Sequence, residues 1–121
     1  IDLCGKDFAV LSGDDIFTLP LMAIGGAGVI SVISNVAPAD MAGLIDAFHA
    51  GDMARAKSLH YKMAPLIEAL FLEVNPIPVK AALALMGKIN GEYRLPLCRM
   101  SEGNFETLEK VMTDYGLIPP S

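Results

Sequence analysis

The chain has little that would direct it to a membrane, a nucleic acid or a disulfide-rich fold. It contains no tryptophan, two cysteines, and nine basic residues against fourteen acidic ones, which gives a net charge of −5. This balance argues against nucleic-acid binding, because that function needs clustered Lys and Arg side chains. No apolar run approaches the roughly 18 residues of a transmembrane helix. We therefore expect neither a nucleic-acid partner nor a membrane.

The few cysteines and histidines show no spacing typical of a metal site. Cys4 and Cys98 are far apart and form no paired-cysteine motif, and His49 and His60 have no partner at ligand spacing. We expect no metal, and two free thiols in a reducing cytoplasm, although the sequence leaves a disulfide open. The first residues also lack the basic and apolar segments of a signal peptide, so we expect none.

Apolar side chains, by contrast, are in excess. They make up 53% of the 121 residues, which is more than a single small domain of this length needs to fill its core. We infer that some of them face other parts of the same fold or partner subunits.

A glycine cluster leading into β-branched residues, between 25 and 36, is the most informative stretch. It predicts a buried parallel strand over residues 29–33, which needs a partner on each edge and helices on both faces. Gly25, Gly26 and Gly28 precede this strand, whereas phosphate-binding glycines follow one, so they indicate a tight helix-to-strand turn.

The remaining pattern predicts one other strand and several helices. A strand at 8–11 leads into a turn where Asp14 or Asp15 caps the next helix. Helices are predicted at 16–24, 39–50 and 79–86. Another, capped by Asp52, runs through Ala54 to Leu70 with a kink at Pro65, and a last one is capped by Ser101 or Asn104 and ended by Gly116. Residues 88–99 read as an extended connector. Two parallel strands followed by helices predict an α/β fold, the C-terminal part of a (β/α)₈ TIM barrel over 1–50 with a helical extension over 51–121.

Five segments occur in an order that resembles the dihydrodipicolinate synthase family. They are Gly-Asp-Asp at 13–15, Gly-Gly-Ala-Gly-Val-Ile-Ser-Val at 25–32, Asn-Val-Ala-Pro at 35–38, Glu-Val-Asn-Pro-Ile-Pro-Val-Lys at 73–80 and Arg-Leu-Pro-Leu at 94–97. The resemblance covers essentially the whole chain and corresponds to the C-terminal portion of the family. The segment at 75–80 favours this family over the related N-acetylneuraminate lyases and sugar-acid aldolases, which stay as an alternative. A stand-alone helical interaction domain is a second alternative.

The resemblance implies a cytoplasmic lyase-type enzyme of lysine and diaminopimelate biosynthesis. Pyruvate would form a Schiff base with a lysine and condense with aspartate semialdehyde, without a metal or organic cofactor, in a homotetramer. The Schiff-base lysine is implied to lie upstream of Ile1, so the resemblance places no catalytic residue in this chain and predicts that the chain alone is inactive. The lysines present are therefore not expected to form it: Lys6, Lys57, Lys62, Lys80, Lys88 and Lys110.

Four residues are candidates for substrate contact. The resemblance implies that Gly13, Asp14 and Asp15 line the pocket near the second substrate, whereas the residue types alone equally fit helix capping. Ile30 has a side chain that we expect to lie in the core. The resemblance assigns a role to the Ile30 backbone carbonyl instead, close to the Schiff-base lysine.

Overall fold

The computed structural model describes residues 1–5 and 7–120, so Lys6 and Ser121 lie outside the described residues. The elements in chain order are β1 (Leu11–Ser12), α1 (Thr18–Ala23), β2 (Gly28–Val29), α2 (Pro38–His49), α3 (Met53–Leu70), α4 (Ile77–Leu85) and α5 (Glu102–Tyr115), with 3₁₀ turns at Asp2–Cys4, Asp15–Phe17 and Ile33–Asn35. The two strands pair in parallel. This confirms the predicted order of a strand, a helix, a second parallel strand and then helices. The boundary at residue 50 between barrel and extension stays a prediction.

Both strands are shorter than the sequence pattern predicts. Strands at 8–11 and 29–33 were expected, but the ladder joins only Leu11 to Gly28 and Ser12 to Val29. The predicted strand does not continue through residues 32 and 33, because the amides of Val32 and Ile33 donate hydrogen bonds to the Asp15 side chain and are not available to a neighbouring strand.

The expectation that the Ile30 side chain lies in the core is wrong for this chain. Ile30 follows the last paired residue of β2 and is 68% exposed. In the described residues β2 is hydrogen-bonded along one edge only, and the rest of the chain leaves the Ile30 side chain largely uncovered. The other large apolar residues exposed in the N-terminal half are Ile1, Leu3, Phe8, Leu11, Phe17, Ile24 and Met53.

The glycines after α1 form the tight helix-to-strand turn that the sequence predicts. The Gly26 amide donates to the Leu21 carbonyl at 2.8 Å, which folds the chain back against the end of α1. A Cβ atom on Gly26 would lie 2.5 Å from the Leu21 Cγ and 2.9 Å from the Leu21 carbonyl oxygen. Gly25 has φ of 103°, a conformation that side chains other than glycine rarely adopt. Helix α1 itself is preceded by a 3₁₀ turn, so the predicted helix at 16–24 is α-helical only over Thr18–Ala23.

The helical body begins with α2 and α3, which pack along each other. Pro38 occupies the first turn of α2, where the missing amide is tolerated. The Asp52 carboxylate accepts a hydrogen bond from the Arg55 amide at 3.0 Å, which confirms the predicted cap of α3. Helix α3 continues through Pro65 to Leu70. The fully buried large side chains include Ile33, Leu44, Met63, Leu66, Leu70, Leu108 and Met112.

Helix α4 starts two residues earlier than predicted. It begins at Ile77 and includes Pro78, because a proline in the first turn breaks no backbone hydrogen bond within the helix. Residues 88–99 form the expected connector without a helix or strand. Helix α5 then buries Leu108 and Met112 and ends, as predicted, at Gly116, which has φ of 88°.

A hydrogen-bond cluster around Asp40 joins α2, α3 and α5. The Asp40 carboxylate accepts hydrogen bonds from the Lys62 ammonium at 2.7 Å and from the Tyr115 hydroxyl at 2.5 Å. The Lys62 Nζ also lies 4.9 Å from the centre of the Tyr115 ring. Burial alone would raise the pKa of Asp40, but the hydrogen bonds from Lys62 and Tyr115 outweigh it and lower the pKa. Burial and the bond to Asp40 raise the pKa of Tyr115.

The start of α5 is held by Glu73 and not by the predicted side-chain caps. Ser101 occupies the N-cap position, but its side chain makes no capping bond. Instead, Glu73 Oε1 accepts hydrogen bonds from the Ser101 amide at 2.9 Å, the Ser101 hydroxyl at 2.8 Å and the Asn104 side-chain amide at 2.9 Å. These bonds, led by the one from Asn104, lower the pKa of Glu73 below its ordinary value. Glu73 therefore ties the segment before α4 to the first turn of α5.

We expect the contribution of Glu73 to stability to depend on pH in the acidic range. Because its folded-state pKa lies below 4.5, this contribution is full above pH 4.5 and is lost as the pH falls through the lowered value. Glu73→Gln keeps a side-chain oxygen that can accept hydrogen bonds, but it removes the carboxyl group that titrates. The stability difference between wild-type and Glu73→Gln full-length protein, measured by urea unfolding across the acidic range, should shrink as the pH falls.

Glu106→Gln provides the matched control, since Glu106 is an exposed glutamate on α5. Its stability difference from the wild type should change little across the same range. A stability difference between the wild type and Glu73→Gln that stays constant at every pH would contradict the role of the Glu73 carboxylate.

Candidate functional site

The predicted site residues meet where the two parallel strands end. Gly13 follows β1, Ile30 follows β2, and the Ile30 amide donates to the Ser12 carbonyl at 2.9 Å. This bond places Ile30 beside the turn that begins at Gly13. The carboxyl ends of parallel strands are where α/β barrels and open α/β sheets bind their ligands. The structure therefore brings Gly13, Asp14, Asp15 and Ile30 to one edge.

Asp14 caps the 3₁₀ turn that precedes α1. Its Oδ1 accepts a hydrogen bond from the Ile16 amide at 3.2 Å, at the start of the 3₁₀ turn before α1. The Ser12 hydroxyl donates to the Asp14 carbonyl at 2.6 Å and fixes the same turn. Of the two aspartates proposed as caps, Asp14 fills this role while remaining partly exposed.

Asp15 links the two strand ends. Its Oδ2 accepts hydrogen bonds from the amides of Val32 and Ile33, both at 2.9 Å, and the residue is only 2% exposed. Its Oδ1 is buried and has no hydrogen-bond partner in the part of the chain that the structure describes. Sequence reasoning missed this link, because no local pattern relates residue 15 to residues 32 and 33.

Gly13 leaves free space beside the turn at this end of the strands. It is exposed, and a Cβ atom built on it would meet no atom within 4 Å. The turn can therefore approach a ligand with its backbone, and any side chain at this position would project into that space.

The lysines that the structure describes lie in the helical body and the connector. Lys62 is paired with Asp40, and Lys110 is paired with Asp114 at 2.7 Å. Lys80 donates to the Glu92 carbonyl at 2.7 Å and lies 5.1 Å from the centre of the Tyr93 ring. Lys80 thus secures the connector to α4, in line with its predicted place in the helical extension. The prediction for Lys6 lies outside the described residues.

The acidic, histidine and cysteine side chains are dispersed over residues 1–5 and 7–120. No group of three or more His, Cys, Asp or Glu side chains there is arranged to hold an ion. Cys4 and Cys98 are free and exposed. Among the helices described, none is long and apolar enough to cross a membrane.

A separate apolar groove lies between α4, the connector and α5. It has a volume of about 470 Å³, with Leu85, Met100 and Phe105 among its apolar walls and Tyr93 and Arg99 on its polar side. None of the four predicted site residues lines it. The groove is therefore not part of the site at the strand ends.

The fold and the position of the site at the strand ends together define the class of protein to which this chain belongs. Two parallel strands joined through a helix, with polar turns at their carboxyl ends and a helical body behind them, are the C-terminal part of a (β/α)₈ barrel. Residues 1–115 match the Dihydrodipicolinate synthetase family. The chain belongs to this family.

The comparisons with individual proteins agree with the family. The chain is 66% identical over 118 residues to the 4-hydroxy-tetrahydrodipicolinate synthase of Syntrophus aciditrophicus, covering 98% of the chain and 40% of that protein. The crystal structure of the Thermotoga maritima dihydrodipicolinate synthase matches with a TM-score of 0.90 at 50% identity, over 93% of the chain and 38% of the other. The Acinetobacter baumannii enzyme, solved in complex with pyruvate, matches with a TM-score of 0.91 at 43% identity, over 98% of the chain and 40% of the other. The chain thus spans about 40% of the length of these relatives and corresponds to their C-terminal portion.

Proposed function

We propose that the whole protein is a 4-hydroxy-tetrahydrodipicolinate synthase, which condenses pyruvate with aspartate semialdehyde in lysine and diaminopimelate biosynthesis. The observation that carries this proposal is the meeting of Gly13 and Ile30 at the strand ends of a chain that belongs to the family. The related Acinetobacter enzyme binds pyruvate, which supports pyruvate as the first substrate.

In this proposal the chain provides one side of the substrate pocket. Pyruvate is held as a Schiff base on a lysine outside residues 1–121. The Ile30 carbonyl is directed at the amine of that lysine, where an acceptor stabilises a developing positive charge. Gly13 and Asp14 face the second substrate, with Gly13 contributing open backbone and Asp14 a partly exposed carboxylate.

The remaining expectations belong to the same proposal. The reaction uses no metal or organic cofactor, the enzyme is a cytoplasmic homotetramer, and residues 1–121 alone are inactive. The exposed apolar side chains of the N-terminal half, among them Phe17 and Ile24, support contacts beyond this chain, with the rest of the barrel or with other subunits. The native mass of the full-length protein tests the tetramer.

A substrate comparison on the full-length protein tests the proposal. We expect turnover with pyruvate and aspartate semialdehyde and none when N-acetylneuraminate or a sugar-acid aldol is supplied for cleavage. Turnover restricted to N-acetylneuraminate or a sugar acid would overturn the proposal in favour of the related aldolases. A full-length protein that forms no Schiff base with pyruvate would overturn both assignments and leave a helical interaction domain.

A further inference from the structure

We propose that Asp15 is a positioning residue of the reaction, one that fixes the Ile30 carbonyl through the backbone and does not touch the substrate. This inference rests on the proposed function, because the carbonyl has a task only in that reaction. It assigns a different role to Asp15 from that of its neighbours Gly13 and Asp14.

The hydrogen bonds of Asp15 constrain the chain immediately after Ile30. One oxygen, Oδ2, accepts from the amides of Val32 and Ile33, both at 2.9 Å. A single residue separates Ile30 from the first of these amides, and peptide planes are rigid. Once the position of Val32 is fixed, the Ile30 carbonyl has few orientations left.

The strand ladder alone provides little of this constraint. Only two residue pairs join β1 to β2, and Ile30 lies beyond the second pair, where its amide bonds the Ser12 carbonyl but its own carbonyl is outside the ladder. The Asp15 side chain adds a bridge across 17 and 18 residues of sequence, from the turn after β1 to the turn after β2. It therefore couples the Gly13 turn to the Ile30 carbonyl as one unit.

The burial of Asp15 argues against direct contact with a substrate. The residue is 2% exposed, and two amides occupy the acceptor positions of Oδ2. Gly13 is exposed and Asp14 is partly exposed, so the surface of the turn open to a ligand is formed by these two residues.

The test compares Asp15→Ala and Asp15→Asn in the full-length enzyme. Asn retains a carbonyl oxygen that accepts both amide hydrogens, and its NH₂ group replaces Oδ1, which accepts no bond in the described part of the chain. We expect Asp15→Ala to lower kcat by about 10- to 100-fold, the range typical of a misplaced catalytic group, with little change in KM for aspartate semialdehyde. Asp15→Asn should keep most of the wild-type kcat. Asp52→Asn, at a cap remote from the strand ends, should match the wild type.

Amide hydrogen exchange supplies a readout that does not depend on the reaction. In Asp15→Ala the peptides covering residues 28–37 should exchange faster than in the wild type, whereas in Asp15→Asn they should not. A raised KM at unchanged kcat in either variant, or unchanged exchange in Asp15→Ala, would overturn the positioning role. If Asp15→Ala does not fold, Asp15→Asn decides: retained kcat supports the inference and a loss of more than about tenfold overturns it. Absence of condensation activity in the wild type would overturn the proposed function instead, and the exchange rates would still report on the bridge.

Discussion

Gly26→Ala is expected to destabilise the full-length protein by about 2–3 kcal/mol, the cost of an overpacked site whose neighbours must move. The added Cβ would lie 2.5 Å from the Leu21 Cγ and 2.9 Å from the Leu21 carbonyl oxygen. The side chain can rotate away, but the carbonyl belongs to the backbone of α1, so the turn itself has to shift. Urea unfolding at neutral pH measures the loss, and condensation activity should fall with it because this turn leads directly into β2.

Gly103→Ala is the matched control for this substitution. Gly103 lies in α5, and a Cβ atom added there would meet no atom within 4 Å outside the backbone of its own helix. Alanine there reduces the freedom of the unfolded chain and should stabilise the protein by about 0.4–1 kcal/mol. Stability changes of the same sign for Gly26→Ala and Gly103→Ala would contradict the close packing of the turn against Leu21.

Leu108→Ala is expected to lower the free energy of unfolding by about 2–5 kcal/mol, because it leaves a cavity in the middle of the helical core. Leu108 is fully buried on α5, and this helix packs against α3 and α4. Thermal and urea unfolding of the full-length protein measure the loss.

Leu95→Ala serves as the control, since Leu95 lies in the connector and is 93% exposed. Its effect should stay within about 0.5 kcal/mol, as for most surface substitutions. A loss for Leu108→Ala no larger than that for Leu95→Ala would contradict the packing of α5 described above.

Local sequence signals predicted most of the helical part of the fold. The Asp52 cap bonds an amide three residues away, and Gly116 ends α5 through its own backbone conformation. The Gly26 turn follows from residues within five positions of it. Each of these features depends on neighbours in sequence, so the pattern of residue types contains the information.

The links between distant segments could not be predicted in the same way. Asp15 bonds amides 17 and 18 residues away, Glu73 bonds a side chain 31 residues away, and Tyr115 bonds Asp40 across 75 residues. Nothing in the residue types near these acceptors identifies their donors. The two aspartates and the glutamate that accept these bonds are residue types that also occur as ordinary helix caps or surface charges.

The strand prediction was wrong in length for a related reason. A run of β-branched residues predicts a strand through Ile33, but Asp15 binds the amides of Val32 and Ile33 and turns the chain into a 3₁₀ turn. Residue types also predicted a core position for Ile30, which instead lies at the exposed strand end. The family resemblance indicated which residues form the site, whereas their arrangement in space follows from the parallel pairing of β1 and β2.

The central claim is that this chain forms one side of a pyruvate-binding site whose Schiff-base lysine lies elsewhere in the protein. Borohydride reduction of the full-length enzyme in the presence of pyruvate, followed by peptide mapping, tests it most directly. The account predicts one modified lysine, located outside residues 1–121 and beside the Ile30 carbonyl in the folded enzyme. A reduced pyruvate adduct on any of the six lysines of this chain would contradict it.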